Sequence, residues 1–211
     1  MTGQAGVESQ ATDEALAHAC SVLRAGGVVA FPSETYYGLA VDPFNQEAIA
    51  RLFALKGRSA DKPVLLIIDN PSQLADLVAE IPPPFALLME KFWPGPLTLV
   101  FPGAKSLPGM LTGHLGTIGV RVSSHPVARQ LVRAFGRPIT ATSANFSGHP
   151  AAVTPRSVRD QLGPGLDVVI DGGETPGGQG STILGYHEGK VCLLRAGVIP
   201  FAEIEAVLAE A

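Results

Sequence analysis

Cysteine is scarce in this chain: only Cys20 and Cys192 occur among 211 residues, with neither a C-x-x-C pair nor Cys/His metal spacing around them. That excludes a disulfide scaffold and a cysteine-ligated metal centre, and two reduced, packed thiols are expected instead. Long apolar runs are also missing. Nothing approaches the ~20 uninterrupted apolar residues that span a bilayer, and residues 1–10 are polar, without a basic stretch leading into an apolar one. No membrane association and a cytoplasmic location are therefore expected. Charge is thin at 16%, and 15 Lys+Arg against 19 Asp+Glu leave a net −4. This balance argues against broad, sequence-independent coating of nucleic acid and leaves a local basic pocket open.

Hydrophobic residues make up 46% of the chain, ample for a core, and 211 residues fit one generous domain at ~100–200 residues each. A loose tail over residues 1–11 and a single domain over 12–211 are expected. Thr12 is placed to cap a helix that Gly26 and Gly27 stop, and residues 28–31 read as a short buried strand. Asn45 is placed to cap a second helix, in which Ile49, Leu52 and Phe53 share one face and which ends near Lys56 and Gly57. Strands are expected at residues 64–68, 97–101, 117–122, 138–141, 167–170, 181–184 and 191–194. Helices are expected at 71–79, 84–92, 126–135, 155–162 and 200–209, several opening on proline as first turns favour. The pattern is α/β. The 24 glycines and 18 prolines fall mostly between these elements, with no repeat and no long linker.

Polar residues concentrate at the element ends, where a rigid scaffold usually carries binding groups. Lys56, Arg58 and Lys62 flank a glycine and can grip a polyphosphate, or they can form a solvated helix end whose cations complement the dipole. Ser143 and Asn145 follow a strand and can meet an anion, or form an ordinary turn. The glycine-rich stretch 172–182 lacks the lysine of a phosphate loop and runs into a strand, so it is either a loop closing over a ligand or a plain connection. His18, His114, His125, His149 and His187 are scattered, without H-E-x-x-H spacing. Trp93-Pro94-Gly95-Pro96 reads as a packed corner, and Asp171 with Glu174 either reach a Mg²⁺ carried by a nucleotide or, the reading preferred, form a solvated turn.

In order, the chain carries P-S-E-T-Y-Y-G-L from Pro32, K-G-R from Lys56 with Lys62-Pro63, W-P-G-P-L-T from Trp93, Arg121-Val122, S-A-N-F-S-G from Ser143, S-T-I from Ser181 and L-R-A-G from Leu194. Any one piece is weak. The ordered set resembles the YrdC/Sua5 family of threonylcarbamoyl-AMP synthases, in its short, single-domain branch, over about residues 23–197. The resemblance implies a twisted mixed sheet with flanking helices and a basic concave face. It also implies a nucleotidyltransferase that uses ATP, L-threonine and bicarbonate to supply a tRNA threonylcarbamoyl transferase machinery. By matching position, Lys56 and Arg58 would serve catalysis, and Arg58, Lys62, Thr117, Ser143, Asn145, Ala151, Ser181 and Arg195 would hold ATP. Thr35, Ile67, Arg121 and Ala141 would hold L-threonine. Mg²⁺ would arrive on the ATP phosphates, with no metal site of the protein's own. Ser33, Ile67 and Thr142 depart from the residues commonest at their places.

Two other classes compete with this reading. Ser59-x-x-Lys62 with Ser143-Ala144-Asn145 mimics penicillin-recognising hydrolases, but K-T-G is missing and no aspartate stands between Ser143 and Asn145. A non-catalytic RNA-binding module would use the same basic face, and a weak RNA contact fits either case.

Overall fold

The computed structural model describes residues 7–59 and 61–210. Side-chain caps start the first two α-helices. Thr12 accepts from the Ala15 amide at 3.2 Å to open α1 (Asp13–Arg24), and Asn45 accepts from Ala48 at 3.1 Å to open α2 (Gln46–Lys56). Each satisfies an N–H that the helix itself leaves unpaired. Helix α2 stops at Gly57, whose left-handed backbone (φ 56°) suits glycine. A Cβ there would lie 2.5 Å from the Phe146 ring. Proline opens α3 (Pro83–Phe92), α4 (Pro126–Phe135) and α5 (Pro155–Leu162), and α6 spans Phe201–Ala209.

The strands are β1 (Val7–Gln10), β2 (Val29–Phe31), β3 (Gly38–Ala40), β4 (Leu66–Ile68), β5 (Leu97–Pro102) and β6 (Thr117–Val122). They continue with β7 (Ile139–Thr140), β8 (Thr142–Ser143), β9 (Val168–Asp171), β10 (Thr182–His187) and β11 (Lys190–Arg195). These build two mixed sheets where one was expected: β1-β9-β2-β3-β8 and β11-β10-β5-β6-β4-β7. The reason lies at residues 139–143. Ile139 and Thr140 pair with β4, the Ala141 amide donates to Leu65 O at 2.7 Å, and Thr142 then pairs with Leu39. One short segment thus crosses from one sheet to the other, and Thr140 pins the crossing by donating to Leu39 O and accepting from the Val41 amide.

Helices α1 and α4 cover the first sheet, burying Leu16, Leu23, Leu131 and Phe135 against Val29, Phe31, Val168 and Ile170. At ~1.5–3 kcal/mol for each large side chain buried, this layer fixes the inner strands that carry the polar loops. A larger cluster around Ile49, Leu52, Phe85, Phe101 and Val120 supports the second sheet.

Two expectations change. Residues 7–10, expected in a loose tail, form β1 because their backbone pairs in parallel with β9, and the Ala11 amide continues the pairing to Asp171 O. Residues 1–6 of that tail lie outside the described residues. The helix expected at 71–79 is a 3-10 helix over Pro71–Asp76. It cannot continue, because the Leu77 carbonyl and the Ala79 amide are taken by the backbone at Ala104 and Pro102. No helix among the described residues is long and apolar enough to cross a membrane.

Candidate active site

A cleft of about 750 Å³ lies where the two sheets meet, lined by Phe31, Gly38 and Ser143 from the first and by Val100, Thr117, Arg121 and Arg195 from the second. Every residue expected to bind ligand lines it except Lys56, Ile67 and Asn145. Four cations, Arg58, Lys62, Arg121 and Arg195, face a lining that contains no carboxylate. Such a lining favours a multiply charged anion.

Arg58 leaves the end of α2 and donates from Nη2 to Pro63 O at 2.8 Å, which holds the guanidinium in place. Burial pushes its pKa down, with Asp61 opposing. Arg195, on β11, donates twice to Ser181 O, at 3.2 and 2.7 Å, and once to Ser181 Oγ at 3.1 Å. Burial first and Arg121 second lower the Arg195 pKa, so these two cations feel each other across the cleft. Lys62 is exposed.

The opposite wall is neutral and directional. Ser33 Oγ donates to Tyr36 O at 2.7 Å and lies 3.2 Å from Thr35 Oγ1. The single serine hydrogen is therefore committed, and Thr35 must donate to Ser33. Thr35 Oγ1 consequently presents acceptor lone pairs to the cleft.

Three expected residues are placed otherwise. Lys56 is 2% exposed. Its Nζ donates to Ser143 O, to Asn145 O at 2.8 Å and to Asn145 Oδ1 at 3.4 Å. It organises the 143–149 loop from below and lies outside the cleft lining. Asn145 is equally committed: Oδ1 accepts from Ser143 Oγ at 2.5 Å, and Nδ2 donates to Phe146 O at 3.1 Å and His149 O at 2.7 Å. Ile67 is fully buried among Phe31, Ile139 and Leu131, because both faces of β4 are covered. Asn145→Ala is accordingly expected to lower unfolding stability by about 2 kcal/mol, since buried partners lose their bonds. Urea denaturation checks this, and a stable variant with weakened ligand binding would return Asn145 to the ligand.

The cleft also uses residues that the sequence reading did not select: Tyr36, Leu115, Gln179, Ile183 and Leu194. Tyr36 lay inside the first motif and was legible there. Ile183 and Leu194 lay inside the S-T-I and L-R-A-G motifs and Gln179 inside the glycine-rich stretch, whereas Leu115, just before β6, is brought in by tertiary packing that no local signal carries. The glycine-rich stretch is tied down, with the Gly177 amide on Thr35 O at 2.8 Å and Tyr37 Oη donating to Gly173 O at 2.7 Å. It is a wall of the cleft. Trp93 is the packed corner expected, its Nε1 donating to Leu97 O at 2.7 Å.

A mixed α/β fold thus holds, between its two sheets, a cation-lined cleft suited to a multiply charged anion, with a neutral, directional wall beside it. The sequence profile of the Sua5/YciO/YrdC family, described as telomere recombination, matches residues 21–197, and the chain belongs to that family. A threonylcarbamoyl-AMP synthase of Pyrococcus abyssi is 42% identical over 91% of this chain and 56% of its own length. One from Vibrio cholerae is 44% identical over 75% of this chain and 86% of its own. The crystal structure of P. abyssi Sua5 complexed with L-threonine superposes with a TM-score of 0.91 at 40% identity, covering 97% of this chain and 60% of that one. The chain thus spans little more than half the length of the archaeal relative.

Proposed function

We propose that the chain joins L-threonine, bicarbonate or CO₂, and ATP into threonylcarbamoyl-AMP and pyrophosphate, which supplies the N6-threonylcarbamoyladenosine modification of tRNA at position 37. The observation that carries this reading is the single cleft holding Arg58, Lys62 and Arg195 opposite Thr35 and Arg121. The cationic side suits a triphosphate. Arg121 suits a carboxylate, and the free lone pairs of Thr35 suit the N–H or O–H of an amino acid.

The chemistry asks for these groups and for no protein nucleophile. The threonine amine adds CO₂ to form a carbamate, a carbamate oxygen attacks the α-phosphorus, and the bond to the β-phosphate oxygen breaks to release pyrophosphate. The protein's share is to align two anions and to neutralise the charge that develops. Arg58 and Arg195, each held by backbone carbonyls, are preorganised for that task. Mg²⁺ enters as part of the nucleotide substrate, since the lining supplies cations and hydroxyls. Residues 12–211 act as one catalytic domain in this reading, in the cytoplasm, with product passed to a tRNA threonylcarbamoyl transferase.

Pyrophosphate release from ATP with and without threonine and bicarbonate tests the reaction. Threonine should exceed valine by at least about 100-fold in kcat/KM, because a site built for a hydroxyl leaves polar groups unpaired around the wrong side chain. Equal rates would sink the amino-acid assignment. Tight RNA binding with a steep salt dependence and no pyrophosphate would favour the RNA-binding module.

A further inference from the structure

Glu34 follows Ser33 and precedes Thr35 on the loop between β2 and β3, yet it is absent from the cleft lining that contains both neighbours. Its carboxylate points to the end of β6. Oε1 lies 3.2 Å from Arg121 Nη1, and both side chains are nearly buried, at 12% and 9% exposure. Oε2 accepts from Ser123 Oγ. Ser123 is fully buried, and its oxygen also accepts from the His125 amide at 3.2 Å, so its one hydrogen is committed to Glu34. No other carboxylate among the described residues pairs with Arg121.

Arg121 belongs to the second sheet, and Thr35 to a loop of the first. The Glu34 side chain is therefore a strut across the seam, joining the residue next to Thr35 with Arg121 itself. We infer that Glu34 is a positioning residue: it fixes Arg121 relative to Thr35 and so sets the spacing at which the cleft accepts the carboxylate and the donor groups of one α-amino acid. The inference rests on the proposed use of Arg121 and Thr35 for the amino acid. A buried guanidinium without a counter-charge would either draw in water or turn its fork toward another acceptor. The Glu34 carboxylate prevents both while leaving Arg121 in the lining. Because Glu34 bonds to Arg121 and Ser123 and to none of Arg58, Lys62 and Arg195, its main effect should fall on the amino acid rather than on the nucleotide.

The test uses Glu34→Gln, which keeps the shape and removes the charge, and Ser123→Ala, which keeps the ion pair and removes the hydroxyl that orients it. Steady-state pyrophosphate release gives KM for threonine and for ATP separately, and the Nε–H resonance of Arg121 in ¹⁵N-labelled protein reports its side-chain order. Glu34→Gln should raise the threonine KM at least about tenfold, as misplacement of a binding group does. The ATP KM should stay within about twofold. Ser123→Ala should act in the same direction with a smaller size, and Glu34→Asp, with charge but less reach, should recover only part. The Arg121 resonance should shift or broaden in Glu34→Gln. An unchanged threonine KM, or threonine and ATP constants rising together, would overturn the inference, and if Glu34→Gln does not fold, Ser123→Ala decides alone. Wild-type protein that releases no threonine-dependent pyrophosphate would strike the proposed reaction. In that event the Arg121 resonance still decides: a shift supports the strut and an unchanged signal removes it.

Discussion

Replacing Arg58 by alanine is expected to lower threonine-dependent pyrophosphate release about 10²–10³-fold, the size seen when one preorganised donor to a developing charge is deleted. The expectation comes from geometry. Arg58 Nη2 is anchored on Pro63 O, so the fork reaches the cleft without having to be ordered when the nucleotide arrives. Its Nε is buried with no partner among the described residues, a donor already stripped of water. Arg58→Lys keeps the charge but not the planar fork that grips two phosphate oxygens, and it should recover only part of the rate. Lys62 is exposed, and its ammonium is a point charge, so Lys62→Ala should raise the KM for ATP and be compensated at high ATP. Circular dichroism of each variant guards against misfolding. Near-wild-type turnover in Arg58→Ala would mean that the cation cluster is a solvated helix end.

Features whose cause is local were legible in the sequence. Thr12, Asn45 and Gly57 act through bonds and dihedral angles within a few residues of themselves, and the helices they bound lie close to where they were expected. The same holds for the proline-opened helices α4 and α5. Features made by distant pairing were not legible. Strands β3 and β8 span three and two residues, too short for an alternating pattern, and exist because Gly38 meets Ser143 and Leu39 meets Thr142. The segment that passes from one sheet to the other is tied by the hydrogen bond from Ala141 to Leu65, which nothing in either residue announces.

At the cleft the same distinction decides which expectations changed. Arg58, Arg121, Thr35 and Arg195 sit on motifs whose spacing alone places them near strand and helix ends, and they converge. Ile67 occupies a strand apolar on both faces, so alternation gave no reason to point it toward or away from the cleft, and packing takes it into the core. A lysine in the last turn of a helix reads as an exposed complement to the dipole. Lys56 departs from this because the 143–149 loop folds over it, and only tertiary structure brings those carbonyls together.

The burial of Lys56 yields the other large effect. Lys56→Ala should cost roughly 3 kcal/mol or more, since Ser143 O, Asn145 O and Asn145 Oδ1 lose a shared donor and the emptied stem leaves a cavity. Lys56→Met retains most of the stem's volume, isolating the loss of the ammonium. Desolvation first, and the neighbouring Arg58 second, lower the Lys56 pKa to about 8 from 10.5. In the unfolded chain the lysine returns to its ordinary range. Below about pH 8 both states are protonated and the cost of burying the charge is fully present. Between about 8 and 10.5 the unfolded state binds more protons than the folded one, so stability contributed at this position rises with pH through that window. Urea denaturation at pH 7, 8, 9 and 10, with the Lys56→Met curve subtracted from wild type, removes the slope common to all other groups. The difference should be level to about pH 8 and then grow in favour of wild type. Since Ser143 lines the cleft and hangs on the same loop, Lys56→Met should also raise the KM for ATP. A difference curve flat to pH 10, with an unchanged ATP constant, would show that Lys56 is a solvent-facing cation and that the loop stands without it.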